Sequence, residues 1–279
     1  MKFLFFLISI LSVATSDAQE LFPYTEPASN MPANSMSVKL SGMFGRGIHG
    51  SSRLEQRYSP EIMFGLNKKW MLHAAVSFSN MYENFYYYES ARLYAKYRFL
   101  SKDEVHRHFR MAAFATAAYS RNHLQHNELN LMGDHSGVQV GVIATQLWNK
   151  LAVSATLSET EVFDNNRWDK DLPQQYAFRS INYSLSAGYL VLPVDYKDYK
   201  QTNLNIYAEL LGGRNLDWEY EKYYIDLAPS IQLIFNSTSK LNIGYRFQLK
   251  SDIYRNMTNS WMISYEHIFL NALKKKAAK

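Results

Sequence analysis

Cysteine is missing altogether from the 279 residues. That excludes a disulfide scaffold and a lipid-anchored lipoprotein, so a domain of this size must take its stability from sheet or core. Also missing, after Ala14, is any charge-free apolar run approaching the roughly 20 residues that a spanning helix needs. Charge of one sign does not dominate: a net +5 is too mild to imply nucleic acid as a partner. No glycine-rich phosphate loop, serine elbow or His-Glu-x-x-His occurs, and no internal repeat or second domain stands out. The expectation is therefore a non-enzyme without a cofactor.

What is present begins with Met1-Lys2, an uncharged run from Phe3 to Ala14, and Ser16-Asp17-Ala18, a small-x-small pattern. This predicts a secretory signal peptide over residues 1–18, cleaved after Ala18. A leader over residues 19–35 follows, "QELFPYTEPASNMPANS", in which three prolines predict an extended periplasmic segment. Residues 270–279 form a tail with four lysines, expected to be solvated.

Between them the apolar residues alternate. In "ARLYAKYRF" (residues 91–99) one parity is Ala91, Leu93, Ala95, Tyr97 and Phe99, and the other is Arg92, Tyr94, Lys96 and Arg98. Successive side chains of a strand point to opposite faces, so this segment has one apolar face and one largely cationic face. Similar alternation predicts 12 strands of about 7 to 11 residues, close to the length that crosses a bilayer when tilted. Connections after even-numbered strands are short or moderate, whereas those after odd-numbered strands are mostly long. That asymmetry predicts periplasmic turns and extracellular loops, with both termini on the turn side. Trp70, Trp148, Tyr97, Phe99, Phe109 and Phe235 abut the short turns, while Tyr58, Phe78, residues 85–88, Tyr119 and Tyr223 sit near the opposite ends. Two aromatic girdles follow. Pro60 and Pro229 fall within strands, where a missing N–H predicts a bulge or a shifted boundary.

Backbone groups in hydrocarbon must all be paired, which closes such a sheet into a barrel with lipid outside and water inside. The expected fold is an all-β, 12-stranded, antiparallel, transmembrane up-and-down β-barrel over residues 36–269. A soluble β-sandwich also alternates, but it gives no reason for aromatics at both strand ends. The leader, the alternating strands and the closing strand "SWMISYEHIF" resemble a Gram-negative outer-membrane β-barrel protein, and "EPASNMPANS" is similar to the start of a family of uncharacterised outer-membrane proteins. The resemblance implies outer-membrane lipid as the surroundings. It also implies recognition by the barrel-assembly machinery through Tyr265 and Phe269, although ten residues follow Phe269.

Parity assigns Lys39, Arg92, Lys96, Arg98, Arg110, Arg179, Arg246 and Lys250 to the lumen, with Glu61, Glu209, Asp226 and Glu266 as the acidic counterparts. This basic excess predicts a channel or transporter for small solutes, anionic ones included. The alternative is an interior filled by ion pairs that only hold the wall together. A second alternative is a barrel whose loops, especially 120–134 and 159–177, bind metal or a partner. His123, His126 and His135 lie in the third long loop with Glu128 and Asp134, and imidazole with carboxylate suits zinc, copper or nickel. An outer-membrane enzyme is the least favoured reading, because adjacent His135 and Ser136 point apart rather than pairing as base and nucleophile.

Overall fold

A computed structural model describes residues 22–47, 53–164, 176–194 and 200–274. Twelve strands follow one another: β1 (Ser35–Arg46), β2 (Leu54–Gly65), β3 (Trp70–Ser79), β4 (Tyr87–Glu104), β5 (Arg107–Ser120), β6 (Gly137–Trp148), β7 (Leu151–Val162), β8 (Arg179–Leu192), β9 (Asn203–Asn215), β10 (Tyr223–Phe235), β11 (Ser239–Ser251) and β12 (Asn259–Phe269). Each pairs antiparallel with the next, and β1 pairs with β12 to close the barrel. The predicted strand number, closure and up-and-down order therefore hold, and several strands run longer than their apolar alternation suggested.

Polarity is inverted relative to a water-soluble fold. Leu93 is 64% exposed and Leu157 54%, while the neighbouring inward positions Lys96 and Ser186 are fully buried. An exterior of isolated aliphatic side chains around a polar interior is the arrangement that hydrocarbon demands. The aromatic ends are packed as pairs. Trp70 lies against Tyr97 near one end, with ring centroids 4.7 Å apart. Phe44 with Tyr58, and Phe78 with Tyr88, pack at the other end.

The two prolines are accommodated by local interruption of a ladder rather than by a change of strand. Pro60 stays in register opposite Leu40 of β1, whereas pairing between β2 and β3 skips from Tyr58 to Glu61. Likewise Pro229 faces Ala208 of β9, while the β10–β11 ladder skips from Leu227 to Ser230. A ring without an N–H donor can remain in a closed sheet when the missing bond falls on one side only.

The leader departs from expectation. Residues 22–34 do not extend into solvent; they run inside the barrel at the end where the termini lie. Phe22 packs with Leu147, Ala152 and Tyr207, Ala28 with Ala112 and Ile143, and Met31 with Met63, Met71 and Ile268. Proline explains part of this. Pro23 and Pro27 are buried, and each lacks a backbone donor that would otherwise need a partner inside the lumen. At the tail, the Leu273 N–H donates to the Asn34 carbonyl at 3.0 Å, and residues 275–279 lie outside the described residues.

Candidate functional site: a stoppered lumen

The wall meets the leader through charge-assisted hydrogen bonds. Lys96 Nζ on β4 donates to the carbonyls of Pro27 (2.7 Å) and Ser29 (2.8 Å) and pairs with Glu26 at 3.3 Å. Arg110 on β5 donates to Ser29 Oγ at 2.9 Å. On the opposite wall, Glu209 accepts from the Tyr24 N–H at 2.9 Å and from Thr25 Oγ1 at 2.7 Å. Thr145 Oγ1 accepts from the Ala28 N–H at 2.8 Å. Polar side chains from β4, β5, β6 and β9 thus bond the leader, which bends at residues 23–25 and 28 as it crosses the lumen. Bonds to charged groups contribute roughly 1.5–3 kcal/mol each, so the leader is an anchored stopper.

The other half of the lumen is narrowed by the β5–β6 loop, residues 121–136, which folds inward. Leu124 and Leu129 pack with Val162, Ala177 and Phe178, and the loop's carboxylates meet wall arginines. Arg57 of β2 is bonded to Glu89 of β4 at 2.7 Å and to Asp134 of the loop. Glu128 receives Arg246 of β11 at 2.7 Å and Arg255 of the β11–β12 loop at 2.8 Å. Asp226 of β10 accepts from the same two arginines. Burial opposes the charge on Glu128, but Arg246 and Arg255 overcome it and hold the carboxyl down at about 2. Burial also opposes the charge on Asp134, which Arg57 keeps well below the usual carboxylate range. Gly133 makes the approach possible: its φ is +129°, and a Cβ there would stand 2.5 Å from Arg57 Nε.

Of the eight cations assigned to the lumen, six have inward parity: Lys39, Arg92, Lys96, Arg98, Arg110 and Arg246. Lys39 sits in register with Glu61 of β2 and Glu266 of β12, and Arg92 donates to Glu61 at 3.2 Å. Arg98 lies next to the register shift near the end of β4. Two assignments are corrected. Arg179 shares the parity of Ile181, Tyr183 and Leu185, and pairs with Glu159 on the outer surface at 2.5 Å. Lys250 would face inward in an unbroken strand, but a register shift between Ile225 and Asp226 turns it outward over the Tyr223 ring. The expected basic excess also changes, because carboxylates beyond the four collected from parity face the interior, among them Glu26, Glu89, Glu128 and Asp134. Arg57 and Lys240 were missed as well. Arg57 was legible, since it lies two turns of the strand period before Glu61, whereas the inward course of the leader and loop left no periodic signal.

The histidines do not converge on a three-ligand metal centre. His123 is exposed, while His126 and His135 are buried with ring centroids 5.1 Å apart. Among the described residues no group of three or more His, Asp, Glu or Cys is placed to hold a metal ion. Burial pushes the His135 imidazole down to about 4, with His126 adding to the effect. Part of loop 159–177 lies outside the described residues, so its proposed partner contacts have no structural counterpart.

The class these features define is a 12-stranded, antiparallel β-barrel of the outer-membrane type, with a leader and a loop folded into its lumen. No protein-family model matches the chain, and no curated protein sequence is found similar to it. The fold is similar to the crystal structure of an outer membrane channel from Pseudomonas putida F1, at 15% identity and a TM-score of 0.58 over 90% of this chain and 100% of that one. It is also similar to the NanC porin, at 12% identity and a TM-score of 0.53 over 82% of this chain and 98% of that one.

Proposed function

We propose that the chain is exported by its signal peptide, assembled into the outer membrane, and serves there as a channel for small solutes that opens when the leader leaves the lumen. One observation carries this reading. At the terminus end Lys96, Arg110, Thr145 and Glu209 of the inner wall are hydrogen-bonded to a segment of the same chain that is not part of the wall, beside cross-wall pairs such as Lys240 with Glu266. Side chains alone fill an interior of about 8 strands, whereas 16 to 18 strands leave an aqueous channel, so a 12-stranded barrel that holds a segment of its own chain has room for a passage once that segment leaves.

Anion preference belongs to the open state. Withdrawal of the leader strips Lys96 of two carbonyl acceptors and Arg110 of Ser29 Oγ, leaving two cations facing water at the terminus end, with Arg92 and Arg98 on the same strand as Lys96. Cations in a low-dielectric wall favour anionic solutes. Planar-bilayer recordings test this. The full chain should show mostly closed current with rare openings, and a variant with Arg92, Lys96 and Arg98 neutralised should shift its reversal potential toward zero in a salt gradient. An unchanged reversal potential rejects the selectivity role, and a complete absence of conductance in both proteins rejects the channel.

A further inference from the structure

A cavity of about 120 Å³ lies between the inward loop and the wall at the long-loop end of the barrel. Its lining includes four methionines from four separate segments: Met43 on β1, Met81 in the β3–β4 loop, Met132 in the β5–β6 loop and Met257 in the β11–β12 loop. Met81 and Met257 are buried. Met257 reaches its position because Gly45 has no side chain: a Cβ there would stand 2.5 Å from Met257 Sδ. Polarizable thioethers select soft cations such as Cu(I) over hard ones.

His126, also in the lining, supplies a nitrogen donor. Tyr82 has one hydroxyl proton and donates it to Asp134 at 2.7 Å. The 2.9 Å contact between Tyr82 and His126 Nε2 must then be donated by the ring. In the neutral imidazole this leaves Nδ1 as a bare lone pair, and Nδ1 is buried without a hydrogen-bond partner. The three guanidiniums of the lining, Arg57, Arg246 and Arg255, are all engaged by carboxylates, Asp134 and Glu128 in the lining and Glu89 and Asp226 behind it.

We propose that this cavity binds a soft monovalent metal cation, Cu(I) or Ag(I), through the methionine thioethers and His126 Nδ1. The site is independent of the channel reading, because binding can be measured on detergent-solubilised protein without any conductance.

Silver, which is redox-inert, is the probe. The full chain, purified in detergent in chloride-free nitrate buffer at neutral pH, is titrated with Ag(I) by calorimetry. In parallel, the methyl resonances of isotopically labelled methionines are followed by NMR. One Ag(I) per chain should bind, shifting the methyl signals of Met43, Met81 and Met257 but not those of Met31, Met63 and Met71. Replacing Met43, Met81 and Met257 together by leucine, a nearly volume-conserving change, should weaken binding at least tenfold, and the same replacement at Met31, Met63 and Met71 should leave it intact. Absence of saturable binding, equal shifts at both methionine groups, or undiminished affinity in the first variant would each overturn the proposal. Should that variant fail to fold, the methyl shifts of the unaltered chain decide alone.

Discussion

Lys96 Nζ, within the wall on β4, lies 2.8 Å from the backbone carbonyl of Ser29 in the leader, 67 positions earlier in the chain. The bond joins the barrel to its stopper at a fully buried ammonium. Replacing Lys96 by methionine keeps much of its length while removing every donor. It should free the leader by roughly 3 kcal/mol or more, from two lost charge-assisted bonds. The check is limited proteolysis of the folded barrel, in which the variant's leader should be cut far faster than that of the unaltered chain.

Leu93 tests the outer face. Its side chain is among the most exposed aliphatics of the barrel, and its strand neighbours Arg92 and Tyr94 point the other way. An arginine there should cost about 2–4 kcal/mol if it sits near the bilayer midplane, read as a lower unfolding midpoint in denaturant titrations of vesicle-reconstituted protein. A cost near zero would mean that this face does not meet lipid.

Arg57 and Arg179 should behave oppositely although both pair with glutamate. Arg57→Met leaves Glu89 and Asp134 buried without their counter-charge, a loss of about 3–5 kcal/mol, seen as a lower temperature for the gel-migration change of the folded barrel. Arg179 and Glu159 are both nearly half exposed, so water and salt screen their attraction, and Arg179→Gln should leave both the gel-migration temperature and the conductance unchanged.

Acid should release the inward loop in two stages. His135 is held at about 4 in the folded state against an ordinary 6.5. The unfolded chain therefore binds more protons between those values, and stability is lost as pH falls from 6.5 to 4. Glu128, held at about 2 against 4.5, contributes stability above 4.5 that is lost as pH falls toward 2. Current noise from loop motion should thus rise below pH 6.5 and again below 4.5. His135→Gln should abolish the first rise and keep the second.

Much of the fold was legible because a barrel in hydrocarbon writes its geometry into every second residue. Leu93 and Lys96 alone fix which face of β4 is which. Arg179 shares the parity of Ile181 and Leu185, so its outward course is legible in the sequence itself. Lys250 was different: a register shift at Ile225 reverses parity without any mark at Lys250 itself. The leader was the largest omission. Its three prolines announce an extended chain, but extension is equally compatible with solvent and with a lumen, and the choice depends on distant partners such as Lys96, Thr145 and Glu209. The sequence marks the loop carboxylates Glu128 and Asp134 as metal donors, whereas their arginine partners come from β2, β11 and the β11–β12 loop and meet them only in three dimensions.

Because the chain has no cysteine, the stopper can be locked in place with the only two thiols in the molecule. Ala28 of the leader and Ala112 of β5 are both fully buried and in one apolar cluster, so Ala28→Cys with Ala112→Cys can tether the leader by oxidation. Single-channel recordings of this protein should show a silent barrel when oxidised, with openings appearing after a reductant is added. Equal conductance in the oxidised and reduced forms would mean that solutes do not pass where the leader lies, and would contradict the gating reading.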